Sequence, residues 1–113
     1  MFAKLCQDNK MSIMLGKRLK KLREGKGLPQ RSIAAILEID TATYCKIEKG
    51  ERYAKKEQVL KLSRYLNFDE KELLKLWSAD KVYKIIINEE NPIEILNLVA
   101  EKMDSFKHTN STL

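Results

Sequence analysis

The stretch QRSIAAILEIDTATYCKIEKG, Gln30 to Gly50, decides the fold. It reads as two short helices, Gln30–Leu37 and Thr41–Lys49, separated only by Glu38-Ile39-Asp40. So tight a connection forces the helices to cross steeply. The crossing needs a small residue, and Ala34 supplies it, while Ile33, Leu37, Ile39, Tyr44 and Ile47 are spaced to bury between the two helices and the one before them. Asp40 reads as an N-cap whose carboxylate accepts from the backbone of Ala42 or Thr43. Gly50 stops the second helix. Pro29 suits the beginning of the first, where its missing N–H costs nothing.

Working outward, Leu15, Leu19 and Leu22 recur at helical spacing between Lys17, Arg18, Lys20, Lys21 and Arg23, giving an amphipathic helix with a basic outer face. Gly25 and Gly27 end it. Downstream, a fourth helix is expected over Lys56–Leu66, burying Val59, Leu60, Leu62 and Leu66. Asp69 with Glu72 has the spacing of a capping box and opens a long fifth helix from Glu70 to about Asn88. Glu89-Glu90-Asn91-Pro92 breaks the chain, and a sixth helix runs from Ile93 to about Phe106. Residues 1–13, with the polar centre Gln7-Asp8-Asn9-Lys10, read as a poorly ordered lead-in. Met1, Met11 and Met14 are all possible starts. No strand-like alternation or internal repeat occurs, so the fold class is all-α.

The 113 residues suit one domain plus a short extension. The net charge of +6 is uneven: residues 12–76 hold 16 Lys/Arg against 9 Asp/Glu, whereas residues 78–113 are slightly acidic. The front half alone is suited to a polyanion, although a solvated lysine-rich surface accounts equally well for the charge. Cys6 and Cys45 lack metal-ligand spacing and the sole histidine, His108, sits in a polar tail, so neither a zinc site nor a cofactor is expected. Two lone cysteines suit a reducing compartment. No apolar run has membrane-spanning length and residues 1–13 lack a signal-peptide core, which points to the cytoplasm. There is no nucleophile–base pair and no phosphate-cradling glycine loop, so the chain does not read as an enzyme.

From Leu15 to about Leu74 the chain resembles the phage-repressor-like (Cro, XRE) helix-turn-helix domain. The matching residues are Gly16-Lys17-Arg18-Leu19, Leu22-Arg23, Gln30, Ile33-Ala34, Ile39 and the run Ile47-Glu48-Lys49-Gly50-Glu51-Arg52. Two positions depart from the pattern: Pro29 stands where Ser or Thr is usual, removing an N-cap hydroxyl, and Glu38 stands where Gly is usual. The resemblance implies a five-helix lambda-repressor-like domain over residues 14–76 with an additional C-terminal helix. It also implies a DNA-binding transcriptional regulator whose third helix enters the major groove N-terminal end first. Carried over by position, Thr41, Ala42, Thr43 and Lys46 are the base-contacting candidates, Lys46 toward guanine, Ala42 and the Thr43 methyl toward a thymine methyl. A solvent- or phosphate-facing role is open for each. Gln30, Arg18, Cys45, Lys49, Arg52, Tyr53 and Lys55, with Lys56, are the backbone-contacting candidates; Cys45 reads as a small spacer near the groove in preference to a redox sensor. Arg23 and Glu48 occupy positions that pair in this family and imply an ion pair bracing the recognition helix.

Residues 77–107 are more apolar than one packing face requires. Trp77, Val82, Ile85, Ile86, Leu96 and Val99 are expected to form the seam of a homodimer on a pseudo-palindromic operator. A larger monomeric core is the alternative. The length and added helices resemble restriction–modification controller proteins or short regulators of mobile elements. A second class, an antitoxin-type autorepressor whose C-terminal helices bind a second protein, fits the same features.

Overall fold

Leucines at positions 15, 19 and 22, one per turn among cations, set the first helix down on the rest of the chain. In the computed structural model, which describes residues 13–111 and their side chains from 14 to 105, it is α1, Ile13–Gly25. It is followed by α2 (Gln30–Leu37), α3 (Thr41–Lys49), α4 (Lys56–Tyr65), α5 (Glu70–Ile86) and α6 (Pro92–Ser111). Among the described residues there is no strand. Of the lead-in expected over residues 1–13, residues 1–12, with Met1, Cys6 and Met11, lie outside them, whereas Ile13 already belongs to α1.

Two compact units divide between Tyr83 and Lys84. In the first, Leu15 and Leu19 of α1, Ile33, Ala34 and Leu37 of α2, and Tyr44 and Ile47 of α3 are buried together. Ala54, Val59, Leu62, Leu66 and Leu73 complete that core. Leu60 of α4, expected inside, is only half-buried. The second unit holds the last turn of α5, the turn closed by Glu89 N–H donating to Ile86 O (3.0 Å), and α6.

Each helix ends for a local reason. Asp40 Oδ1 accepts from Thr43 N–H (2.7 Å) and caps α3. Gly50, at φ 80°, closes its far end as Glu51 N–H donates to Lys46 O (2.9 Å). Pro29 stands in extended backbone directly ahead of α2, at the N-cap, and supplies no side-chain cap. The reciprocal Asp69–Glu72 box does not form: Asp69 Oδ1 accepts from Lys71 N–H (3.0 Å), while Glu72 pairs with Lys75 (3.1 Å). At the start of α4, Gln58 Oε1 accepts from Lys55 N–H (2.8 Å), satisfying a donor for which the sequence carries no familiar signal. α5 stops at Ile86, two residues before the expected Asn88, because Glu89 and Glu90 oppose the negative C-terminal end of the helix dipole. α6 starts on Pro92 and passes the expected end at Phe106, since neither glycine nor proline follows to stop it.

Candidate functional site

α3 exposes one face and buries the other. Tyr44 and Ile47 are in the core and Glu48 is 7% exposed, whereas Thr41, Ala42, Lys46 and Lys49 are exposed. Thr43 and Cys45 flank that face, half-buried. An α-helix with its side chains is about 10–12 Å across, close to the width of the B-DNA major groove. Arg52 and Lys55 follow on the exposed segment after Gly50. Among the described residues none of Lys46, Lys49, Arg52 and Lys55 is held in an ion pair, so their charge is available to a polyanion.

The orientation of α3 is fixed from behind by Glu48. Arg23, at the end of α1, donates from Nε to Glu48 Oε2 (2.6 Å) and from Nη2 to Oε1 (3.1 Å). Its Nη1 donates to Leu28 O (2.8 Å), tying in the α1–α2 connection. Gln30 Nε2, at the start of α2, donates to the same Glu48 Oε1 (3.1 Å). Three helices therefore meet on one carboxylate. Burial pushes the Glu48 carboxyl up, but the bond from Arg23, with the nearby Tyr44 hydroxyl and the bond from Gln30, holds it below the ordinary carboxylate range. Arg23 is raised in return, chiefly by its bond to Glu48. The buried Tyr44 hydroxyl lies against this pair without a hydrogen bond of good geometry among the described residues. Burial first, then Glu48, pushes that phenol far up.

Gly16 sets how closely α1 approaches α3. A Cβ there would lie 2.9 Å from Ile47 O and nearer still to Glu48 O. Ala34, the small residue expected at the helix crossing, is 2% exposed, and Gly16 is a second point of close approach.

The sequence-derived candidates do not all gather on this face. Arg18 lies over the Phe68 ring, 5.5 Å from its centroid. At about 100° per residue it sits on the flank of α1 some 160° around from Gly16, away from α3. Gln30 is half-buried on Glu48. Tyr53 is half-buried, its phenol raised by burial and then by the charge of Asp80.

Among the residues expected in a dimer seam, Val82 (45% exposed), Ile85 (73%), Leu96 (37%) and Val99 (53%) are open, whereas Ile86 is buried. Trp77 is turned inward: it packs against the first unit's core, donates from Nε1 to Ala54 O (2.7 Å) and carries Lys81 Nζ 3.5 Å above its ring. A buried indole N–H needs an acceptor, and this carbonyl provides one. Asp80 has no counterpart among the sequence-derived candidates. Fully buried on α5, it accepts from Met14 N–H (Oδ1, 2.9 Å) and Leu15 N–H (Oδ2, 3.0 Å), capping α1 from 65 positions away.

No group of three or more potential metal ligands occurs among the described residues, and no described helix is long and apolar enough to cross a membrane. A family model described as a helix-turn-helix domain matches residues 16–78. The crystal structure of the restriction-modification controller protein C.AhdI from Aeromonas hydrophila is similar, with a TM-score of 0.50 and 33% identity over 54% of this chain and 92% of that chain. No curated protein sequence matches.

Proposed function

The chain belongs to the helix-turn-helix domain family, and on that premise we propose that it is a sequence-specific, duplex-DNA-binding transcriptional regulator of the controller type. The observation that carries this reading is the exposed face of α3. Thr41, Ala42, Lys46 and Lys49 stand clear of the core on a helix capped by Asp40 and braced through Glu48. Lys46 suits the acceptors of guanine, while Ala42 and the methyl of Thr43 suit a thymine methyl. Arg52 and Lys55 supply phosphate contacts, joined by Lys49 and, since the Gln30 side chain is held on Glu48, by backbone N–H groups at the start of α2. That start has no side-chain cap and presents the positive end of its dipole to an anion. Arg18 contributes long-range charge from its own flank.

DNA binding belongs to residues 14–76. Self-association belongs to the exposed part of the extension, which makes the protein a homodimer reading two half-sites. One recognition helix spans too few bases to be selective in a genome, and pairing two of them multiplies the discrimination.

Selection of bound duplexes from a random pool tests the reading. The expected product is a pseudo-palindrome with half-sites about one helical turn, 34–36 Å, apart. Its affinity should fall linearly in log–log plots against salt. A pool that stays unenriched, or binding indifferent to salt, would remove it.

A further inference from the structure

Trp77 and Asp80 stand three positions apart on α5 and so share one face of that helix. Each grips a different neighbour of α3. Trp77 Nε1 holds Ala54 O (2.7 Å), in the segment that carries Arg52 and Lys55. Asp80 holds the backbone N–H groups of Met14 (2.9 Å) and Leu15 (3.0 Å) at the start of α1. The next residue of α1 is Gly16, which seats directly on the last turn of α3 at Ile47 and Glu48. The charge of Asp80 is also felt by Tyr53, in the same segment as Ala54. Residues 51–55 form no helix of their own; Glu51 N–H on Lys46 O and Lys55 N–H on Gln58 Oε1 fix the two ends, and between them the burial of Ala54 (3% exposed) and the indole bond to its carbonyl help to hold the segment.

We propose that Trp77 and Asp80 are positioning residues for DNA binding: a two-point clamp on α5 that fixes the cationic segment Arg52–Lys55 relative to α3. The inference rests on the reading of the chain as a duplex-binding regulator. Phosphate contacts fix register on the duplex and carry no base information. Loosening the clamp therefore weakens binding to every sequence alike and leaves base preference unchanged. Nothing in the clamp touches DNA. Its influence passes through the segment that does.

The test uses the full chain with Trp77→Phe, which keeps the ring and removes the N–H, and Asp80→Asn, which keeps the shape and removes the charge and one acceptor. Both are measured well below their unfolding temperatures. Each variant should bind the selected and a scrambled duplex more weakly by the same factor. The slope of log affinity against log salt should become shallower by about 0.9 for each phosphate that is no longer neutralised. Arg52→Ala should flatten the wild-type slope, and flatten it less in the Trp77→Phe background. Independently of DNA, amide exchange over residues 51–55 should quicken at least tenfold in Trp77→Phe while the interior of α3 stays protected. Unchanged slopes, an Arg52→Ala effect of full size in both backgrounds, or unaltered exchange at 51–55 would each overturn the clamp. A wild-type chain that shows no salt-dependent duplex binding while its exchange behaves as expected would instead overturn the functional reading.

Discussion

A methyl group at position 16 tests how tightly α3 is held. Alanine is the better helix former by about 1 kcal/mol, so propensity alone favours Gly16→Ala. The added Cβ, however, would fall 2.9 Å from Ile47 O and 3.0 Å from the Glu48 carbonyl carbon, against backbone that cannot rotate aside. Forcing helices apart costs about 1–3 kcal/mol, which outweighs the gain. Gly16→Ala should lower the melting temperature and weaken DNA binding together. Gly25→Ala is the control: a methyl group there would meet nothing within 4 Å, so it should be neutral or stabilising. At position 48 the same junction responds to acid. The folded-state carboxyl lies below its ordinary value of 4.5, so its contribution to stability is complete above that pH. It is lost as the pH falls through the folded-state value. Glu48→Gln should flatten this acid limb. Breaking a buried ion pair should also cost on the order of 3–5 kcal/mol at neutral pH, checked by urea denaturation across the pH range.

At the scale of elements, the turn between α2 and α3 carries strain that its neighbours override. Glu38 sits at φ 58°, where a side chain is disfavoured, because the α2 cap needs that geometry to bring its N–H and that of Ile39 onto Ala35 O and Ala34 O. Its ion pair to Lys61, at 3.8 Å, is solvent-exposed and worth little. Glu38→Gly should therefore stabilise the protein by about 0.5–1 kcal/mol, seen as a higher urea midpoint at unchanged slope. This turn is legible in the chain, as are the starts and stops of α2 and α3, because each is set by residues within three or four positions. Asp40, Gly50 and the Ile33–Ala34–Leu37 face each act locally. Asp80 is not legible: the donors it satisfies are backbone N–H groups 65 and 66 positions away, and an aspartate inside a helix otherwise reads as surface. Trp77 defeats a sequence reading for a related reason. Counting apolar residues gives the total to be buried, but not which of them the near core absorbs. Arg18 shows the same limit for charge, since composition locates a cation on a helix without saying that it lies over the ring of Phe68.

At the scale of the whole molecule, α6 carries an exposed apolar stripe. Leu96, Val99 and Met103 follow one another at spacings of three and four, the period of a helix face, and are 37%, 53% and 63% exposed. Such a stripe is the pattern of a seam waiting for a second helix. A symmetric partner would bury it twice over, once on each copy, as the proposed homodimer requires. If that pairing forms, stability depends on concentration, because dimerisation withdraws the folded chain by mass action. The melting temperature should rise with protein concentration, and sedimentation should report a dimer. Replacing Val99 and Met103 with Lys should abolish both effects with the first unit still folded, since its core, from Leu15 to Leu73, contains neither residue. The variant should still bind a single half-site weakly while forgoing the gain from the second. Wild-type chain that sediments as a monomer at high concentration would assign the stripe to a different protein. The antitoxin-like architecture would then be the better account of the extension.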